Sequence, residues 1–284
     1  MHSPVDTPQS QGFFYVAVGD RWFNEALISA RSVKKWMPDI PIAIFTDSSL
    51  PCDGLFEQRL PLTESGLNPF QQKLACLAHA PYGRAIFLDS DTYICEPITE
   101  LFDLLDHFDI AMTHDRAYTD YFPEDMGVPD CFREFNSGVV AFRRTDAVRE
   151  VFQKSLNLYE QLLARGDKVA HDQVPLRIAL YKSDLRIAPL TFEYNCRFAT
   201  FGHLNGRVKI LHARPPRIPY NEATLQEIAN RLNRVTIPRV FVAGSVYALA
   251  KDSGRPFRSR KICDLFPSRT SHWLQRAKRK ILNR

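Results

Sequence analysis

Asp89 and Asp91 sit one residue apart in Ile86-Phe-Leu-Asp-Ser-Asp-Thr-Tyr-Ile94, at the end of an apolar run. Two carboxylates this close repel unless positive charge lies between them. A divalent cation is the usual answer, and oxygen ligands favour Mg²⁺ or Mn²⁺. The alternative is a solvated acidic turn, and a lone Asp-x-Asp does not decide between them. The branched and aromatic content of Arg84–Leu88 predicts a buried strand, which puts the pair at its carboxyl end. That is the edge where open α/β sheets bind ligands.

The surrounding chain predicts the elements that would hold the pair. Phe13–Val18 reads as a strand ending in Gly19-Asp20, and Asn24–Trp36 follows with helical spacing. Pro41–Phe45 is a second apolar run, and Phe70–His79 is a helix stopped by Pro81 and Gly83. After the Asp-Ser-Asp strand come a helix over Ile98–Leu105, a strand over Asp109–Met112 and an aromatic, acidic loop over Tyr118–Phe135. Gly138–Phe142 then reads as a strand, Thr145–Ala164 and Asp172–Leu180 as helices, and Val208–Leu211 as the last strand. Pro51–Asn68 shows turn residues and little periodicity. Strands alternating with helices predict an α/β fold with a mostly parallel central sheet and helices on both faces.

Composition bounds the function classes. The 284 residues are long enough to bury a core without staples, and 45% hydrophobic with 24% charged residues is ordinary for a globular protein. Six scattered cysteines show neither Cys-x-x-Cys nor zinc spacing, which fits free thiols in a reducing compartment. The first twelve residues are polar with no apolar core, so no signal peptide is expected, and no run is long enough to span a bilayer. The expected location is the cytoplasm. The net charge of +5 is carried by the C-terminal tail, whose last thirty residues are strongly basic.

Laid in order, the motifs resemble glycosyltransferase family 8, the family of glycogenin and the lipopolysaccharide galactosyltransferases, with a GT-A fold. The likeness runs from about Phe14 to Leu211 and rests on five elements. Val16-Ala-Val-Gly-Asp-Arg-Trp-Phe-Asn-Glu-Ala-Leu follows the family's opening strand and helix, and Asp89-Ser-Asp91 its acidic motif. Asn136-Ser-Gly138 before an apolar strand, His171-Asp-Gln173 before a helix, and His212 after a strand complete the set. The expected organisation is a glycosyltransferase-like domain over 13–215, a disordered, polar segment over 1–12, and a basic, helical segment over 216–284.

The resemblance also implies roles. Val16, Gly19 and Asp20 would receive the nucleoside of a UDP-sugar, and Lys73 would lie near its diphosphate. Asp89, Asp91 and His212 would hold Mn²⁺ or Mg²⁺, which acts as a Lewis acid and clamps both phosphates. Lys73 would stabilise charge on the leaving group. Asn136, Ser137 and Asp115 would line the donor sugar, and Asp172 and Gln173 would stand beside the anomeric carbon. The family transfers with retention of configuration. Each residue also has a plainer reading: Asp172 as a helix N-cap, Asn136-Ser-Gly as a turn, His212 as structural, Lys73 as a solvated helix face.

The departures bear on the donor. The family usually has Asp or Asn where Gly19 stands and tyrosine where Trp22 stands. Downstream of His212 it has a glycine and then Lys-Pro-Trp, where this chain reads Ala213-Arg-Pro-Pro-Arg217. Arg214 or Arg217 can replace the lysine, because guanidinium binds phosphate bidentately.

Residues 268–284 place Trp273, Leu274, Ala277 and Ile281 at helical spacing among Arg276, Lys278, Arg279 and Lys280. Such a helix can lie on an anionic membrane surface, pack its apolar stripe on the domain, or bind nucleic acid. No nucleic-acid fold accompanies it, so nucleic acid is not an expected partner. A nucleotide-sugar donor and a glycan or lipid-linked glycan acceptor are, with peripheral contact at the inner face of a membrane through 268–284. Two rivals remain: a non-catalytic carbohydrate-binding module of the same fold, and a haloacid dehalogenase-type phosphohydrolase. The second normally has its Asp-x-Asp after the first strand and a threonine where Tyr93 stands.

Overall fold

The computed structural model describes residues 10–52, 54–63, 66–115, 122–169, 171–216, 218–234, 236–242, 245–250 and 258–264. The chain opens with β1 (Gln11–Ala17), α1 (Asp20–Trp36), β2 (Ile42–Thr46) and β3 (Gln58–Leu60). Next come α2 (Pro69–Ala78), β4 (Arg84–Leu88), β5 (Thr92–Ile94), α3 (Glu100–Leu104) and β6 (Ile110–His114). β7 (Phe135–Arg143), α4 (Asp146–Ala164), α5 (Gln173–Tyr181), β8 (Ile187–Leu190), β9 (Phe201–Leu204) and β10 (Ile210–His212) follow. α6 (Glu222–Leu232), β11 (Arg239–Val242), β12 (Ser245–Ala250) and β13 (Arg258–Asp264) close the order.

Seven strands form the main sheet in the order β3-β2-β1-β4-β7-β6-β8. All neighbours pair in parallel except β7, which runs antiparallel to β4 and β6. The expected mixed, mostly parallel sheet is present. Reversal of β7 has a functional effect. Its first residues lie beside the last residues of β4, with Leu88 opposite Val139 and the Asp89 amide donating to the Gly138 carbonyl at 2.8 Å. Asn136-Ser-Gly138 therefore reaches the same sheet edge as the Asp-Ser-Asp motif. β7 starts at Phe135 and is buried along nearly its whole length, so Asn136-Ser-Gly is strand and not a turn.

Alternation along β1 divides the core. Phe14 faces the layer of α2, α4 and α5, where its ring meets those of Phe45, Phe87 and Phe142 edge-on. Phe13, Tyr15 and Ala17 face α1 and α3. α2 starts at a capping box, with Asn68 accepting from the Gln71 amide and Gln71 returning a bond to the Asn68 amide. Thr145 caps α4.

Four expectations change. β1 begins at Gln11, so Gln11 and Gly12, placed in the disordered segment expected over 1–12, are strand; residues 1–9 lie outside the described residues. Gly12 packs there, and a Cβ on it would meet the Tyr82 ring at 2.6 Å. The tract Pro51–Asn68 contains edge strand β3, too short for a periodic signal. The last strand is not at Val208–Leu211: β9, β11, β12 and β13 form a second, antiparallel sheet, so 216–284 is not helical throughout. Arginines at 239, 258 and 260 obscured the apolar pattern of that sheet. The basic helix expected over 268–284 lies outside the described residues.

Among the described residues no helix is long and apolar enough to cross a membrane. Cys76, Cys95 and Cys196 are buried free thiols, whereas Cys131 is exposed.

Candidate active site

A cleft of about 300 Å³ opens at the carboxyl edge of the main sheet. Val16, Lys73, Asp89, Asp91, Asn136, Ser137, Asp172, Gln173, His212 and Arg214 all line it. Distant segments supply them for local reasons. Asp89 ends the β4 strand and Asp91 precedes β5. β5 pairs antiparallel with β10, setting Thr92 opposite His212 and bringing the histidine to the carboxylates. Tyr15, Ser29 and Thr92 hydroxyls run in a buried chain at 2.9 and 2.8 Å, and the Ser32 hydroxyl accepts from the Ile94 amide at 2.8 Å. α1 thus fixes β5, and β5 fixes Asp91. Tyr220 adds a bond from its hydroxyl to the Ser90 carbonyl at 3.2 Å.

Asp89, Asp91 and His212 each offer a ligand atom, all within 4.8 Å of one another. His212 Nε2 lies 3.6 Å from Asp89 Oδ2 and 3.4 Å from Asp91 Oδ1. Its Nδ1 is hydrogen-bonded to Asn195 Oδ1 at 2.8 Å. An Nδ1–H donating there would leave the Nε2 lone pair to a metal ion set between the carboxylates, the tautomer a ligating histidine needs. The donor set of two carboxylate oxygens and one imidazole suits Mn²⁺ or Mg²⁺, and the residues fit such an ion.

Two cations border the carboxylates. Lys73 Nζ lies 2.9 Å from Asp89 Oδ1, 3.4 Å from Asp172 Oδ2, and donates to Ser137 Oγ at 3.0 Å. Burial alone would lower the Lys73 pKa, but Asp172 and Asp89 outweigh it and raise the value above the ordinary one. Lys73 is therefore a buried, charged group and not the solvated helix face it could have been. Arg214 Nη1 donates to Asp91 Oδ2 at 2.9 Å, while its Nε reaches both oxygens of Glu25 at 3.0 Å. Its guanidinium lies 4.3 Å from the centre of the Trp22 ring. Burial would raise the Asp91 pKa, yet His212 and Arg214 hold the carboxyl well below the usual range.

The opposite end of the cleft is a polar network of amide side chains around the Asp115 carboxylate, which Arg197 Nη1 pairs at 3.5 Å. Asn136 Nδ2 donates to Asp115 Oδ2 at 2.9 Å and to Gln173 Oε1 at 3.1 Å; Gln173 Nε2 donates to Asp115 Oδ2 at 3.0 Å. Asn195 Nδ2 donates to Asn136 Oδ1 at 2.9 Å, which ties the network to His212. Asp172 stands at the N-cap of α5 but makes no side-chain cap bond; its carboxylate turns to Lys73. Of the buried polar atoms here, His171 Nδ1 has no hydrogen-bond partner, and Asp172 Oδ2 is held by its ion pair with Lys73 alone. A polar ligand in the cleft would satisfy them.

Of the other expected residues, Asp115 stands behind the cleft wall, holding Asn136 and Gln173. Gly19 and Asp20 stand at the start of α1. The Gly19 amide donates to Asp47 Oδ1 at 2.6 Å, and Asp20 accepts from Ser48 Oγ at 2.7 Å. Gly19 has φ +85° and ψ 164°, a conformation open essentially only to glycine, which explains the departure at this position. Arg217 lies outside the described residues. The sequence reading overlooked Glu25, Asn195 and Arg197. Glu25 had a signal: it is an acid on the same helix face as Trp22, next to apolar Ala26 and Leu27. Asn195 had none, because it reaches His212 only through the parallel bridge between Cys196 and Leu211.

No protein-family model matches the chain, and no curated protein matches it in sequence. Similar solved structures are glycosyltransferases. GlyE of Streptococcus pneumoniae TIGR4 is 17% identical, with a TM-score of 0.54 over 75% of this chain and 57% of GlyE. The galactosyltransferase LgtC, solved with donor and acceptor sugar analogues, is 16% identical, with a TM-score of 0.53 over 79% of this chain and 97% of LgtC. The bifunctional glycosyltransferase WbbM is 14% identical, with a TM-score of 0.52 over 85% of this chain and 46% of WbbM. The chain spans just over half of GlyE and under half of WbbM. At these identities the likeness defines the fold, which is that of the GT-A glycosyltransferases.

Proposed function

We propose that the protein is a metal-dependent glycosyltransferase that moves a hexose from a nucleotide-sugar, a UDP-sugar by the family resemblance, to a glycan or lipid-linked glycan, with retention. One observation carries this reading. Asp89, Asp91 and His212 converge within 4.8 Å at the ligand edge of the sheet, with Lys73 and Arg214 bordering them and the amide side chains of Asn136 and Gln173 opposite. Lys73 pairs with Asp89 and Asp172 and Arg214 with Asp91, which ties up the carboxylates a hydrolase would use as nucleophile or base and supports neutralisation of a diphosphate leaving group instead.

Asp89, Asp91 and His212 would hold the divalent cation, which supplies Lewis acidity and charge neutralisation at the diphosphate. Lys73 places a second, preorganised charge where negative charge develops as the glycosidic bond breaks. Asn136 and Asp172 line the cleft and would take hydroxyls of the donor sugar, a role supported by Asp172 making no helix-cap bond and pairing only with Lys73. Gln173 has its amide orientation set by Asn136 and Asp115, leaving one Oε1 lone pair for the cleft. A neutral oxygen beside the anomeric carbon suits an oxocarbenium-like centre attacked from the leaving-group face. A further LgtC structure carries a glutamine-to-glutamate active-site mutation, so that protein also has a glutamine in its active site.

The test is a panel of nucleotide sugars incubated with the purified chain and Mn²⁺, with release of nucleoside diphosphate as readout. Hydrolysis of one member, abolished by EDTA and in Asp91→Asn, is expected. Silence across the panel with no nucleoside diphosphate bound would favour a non-catalytic module.

A further inference from the structure

The two carboxylates of the metal site divide their oxygens in the same way. Asp89 Oδ2 and Asp91 Oδ1 face His212, while Asp89 Oδ1 rests on Lys73 and Asp91 Oδ2 on Arg214. The two cations are not equivalent. The Lys73 side chain is 9% exposed and held by three groups, whereas that of Arg214 is 34% exposed. One edge of its guanidinium is anchored on Glu25, itself buried, and one face on Trp22. The other edge holds Asp91 through Nη1. A guanidinium has five N–H groups, and the bonds to Glu25 and Asp91 use three. The remaining two belong to Nη1 and Nη2 of a residue that lines the cleft.

We propose that Arg214 is an exchangeable counter-ion that couples the cation site to the diphosphate site. This inference rests on the nucleotide-sugar reading above. With no ligand, Arg214 neutralises Asp91 and opposes a second positive charge there. When a cation takes Asp91 Oδ1, it draws charge from the carboxylate and loosens the Nη1 bond to Oδ2 while Glu25 keeps the anchor, and Arg214 offers that edge to phosphate oxygens bidentately. The same residue thus weakens binding of the cation alone and strengthens binding of cation and diphosphate together. By linkage each ligand then promotes the other by the same factor.

The experiment is a Mn²⁺ titration followed by electron paramagnetic resonance, with and without whichever of UDP, GDP, ADP and CDP binds. It is run on wild type, Arg214→Gln and Arg214→Lys. In wild type the nucleotide is expected to tighten Mn²⁺ binding. In Arg214→Gln, Mn²⁺ alone is expected to bind tighter than in wild type, and the tightening by nucleotide to fall roughly 10-fold. Arg214→Lys keeps the charge without the fork, so it should oppose Mn²⁺ alone as wild type does and recover only part of the coupling. It carries the test if circular dichroism shows Arg214→Gln unfolded. Weaker Mn²⁺ binding in Arg214→Gln, or an unchanged coupling factor, overturns the proposal while leaving the enzyme reading intact. Wild type that binds neither Mn²⁺ nor any of the four nucleotides overturns both.

Discussion

The His212 imidazole occupies the space that a side chain at residue 138 would fill. A Cβ built on Gly138 lies 2.6 Å from His212 Nδ1 and 2.7 Å from Nε2, closer than real carbon contacts allow. Glycine is required here for close approach of backbone to ring, not for an unusual φ. Gly138→Ala should displace the ring and cost roughly 1–3 kcal/mol of stability, as overpacking does. Mn²⁺ affinity should fall more than 10-fold at temperatures where the variant is still folded, by calorimetric titration. Unchanged affinity would show that His212 is not a ligand.

Asn195 fixes the His212 tautomer from behind. Asn195→Leu removes the acceptor for Nδ1 and should weaken Mn²⁺ binding about 10- to 100-fold, the range for loss of a partner that orients a metal ligand. Asn195→Asp, which keeps an acceptor oxygen, should retain more affinity than Asn195→Leu.

Ala213 has φ +145°, in a region that L-residues rarely adopt. Its amide donates to the Asp91 carbonyl at 3.2 Å, and the flanking His212 and Arg214 are both held in the site. Those contacts maintain the strained backbone. Ala213→Gly should relieve it and stabilise the protein by about 1 kcal/mol, against a typical strain of about 1–3 kcal/mol. Urea unfolding measures this directly, and a lower midpoint in the variant would rule the strain out.

Glu193 closes the turn at Asn205-Gly206, accepting from the two amides at 2.5 and 2.9 Å. Burial raises its pKa, but the Thr191 side chain and these amides outweigh that and lower it below the ordinary 4.5. A depressed carboxylate stabilises the fold above its unfolded pKa, and this is lost as pH falls through the folded value. Glu193→Gln should cost about 1–3 kcal/mol at pH 7. Urea melts should show that deficit shrinking below about pH 4.5, where the unfolded carboxylate takes up its proton.

Removing Lys73 strands Asp89 and Asp172, both of which it faces from a buried position. Lys73→Met should destabilise by about 3–5 kcal/mol, the cost of breaking a buried ion pair. Added Mn²⁺ should recover more thermal stability in the variant than in wild type, because it restores positive charge beside Asp89.

The site was legible in sequence where chemistry and local structure coincide. Asp89-Ser-Asp91, Asn136-Ser-Gly138 and His171-Asp-Gln173 are short runs at the ends of periodic segments, and a sheet edge gathers such ends. His212 was legible only in its order after the others. Asn195 and Glu25 act through side-chain contacts between segments far apart in the chain, and no local pattern encodes those. The same holds for the fold. Long, apolar β1, β4 and β7 announced themselves, though the reversal of β7 did not, because a buried run looks alike in either direction. Short β3 and β8 and the arginine-rich second sheet fell below what periodicity can register.

The ladder between β5 and β10 consists of three residue pairs, yet it brings His212 to Asp91 across a long stretch of intervening chain. A chain emerging from the ribosome can complete the main sheet through β8 before β10 exists, because domains form progressively as their segments appear. The Asp89-Asp91-His212 cluster is therefore completed late in biosynthesis, after most of the scaffold has condensed. A nascent chain stalled before Ile210 would hold Asp89 paired with Lys73 but would lack both His212 and the Arg214 that pairs with Asp91.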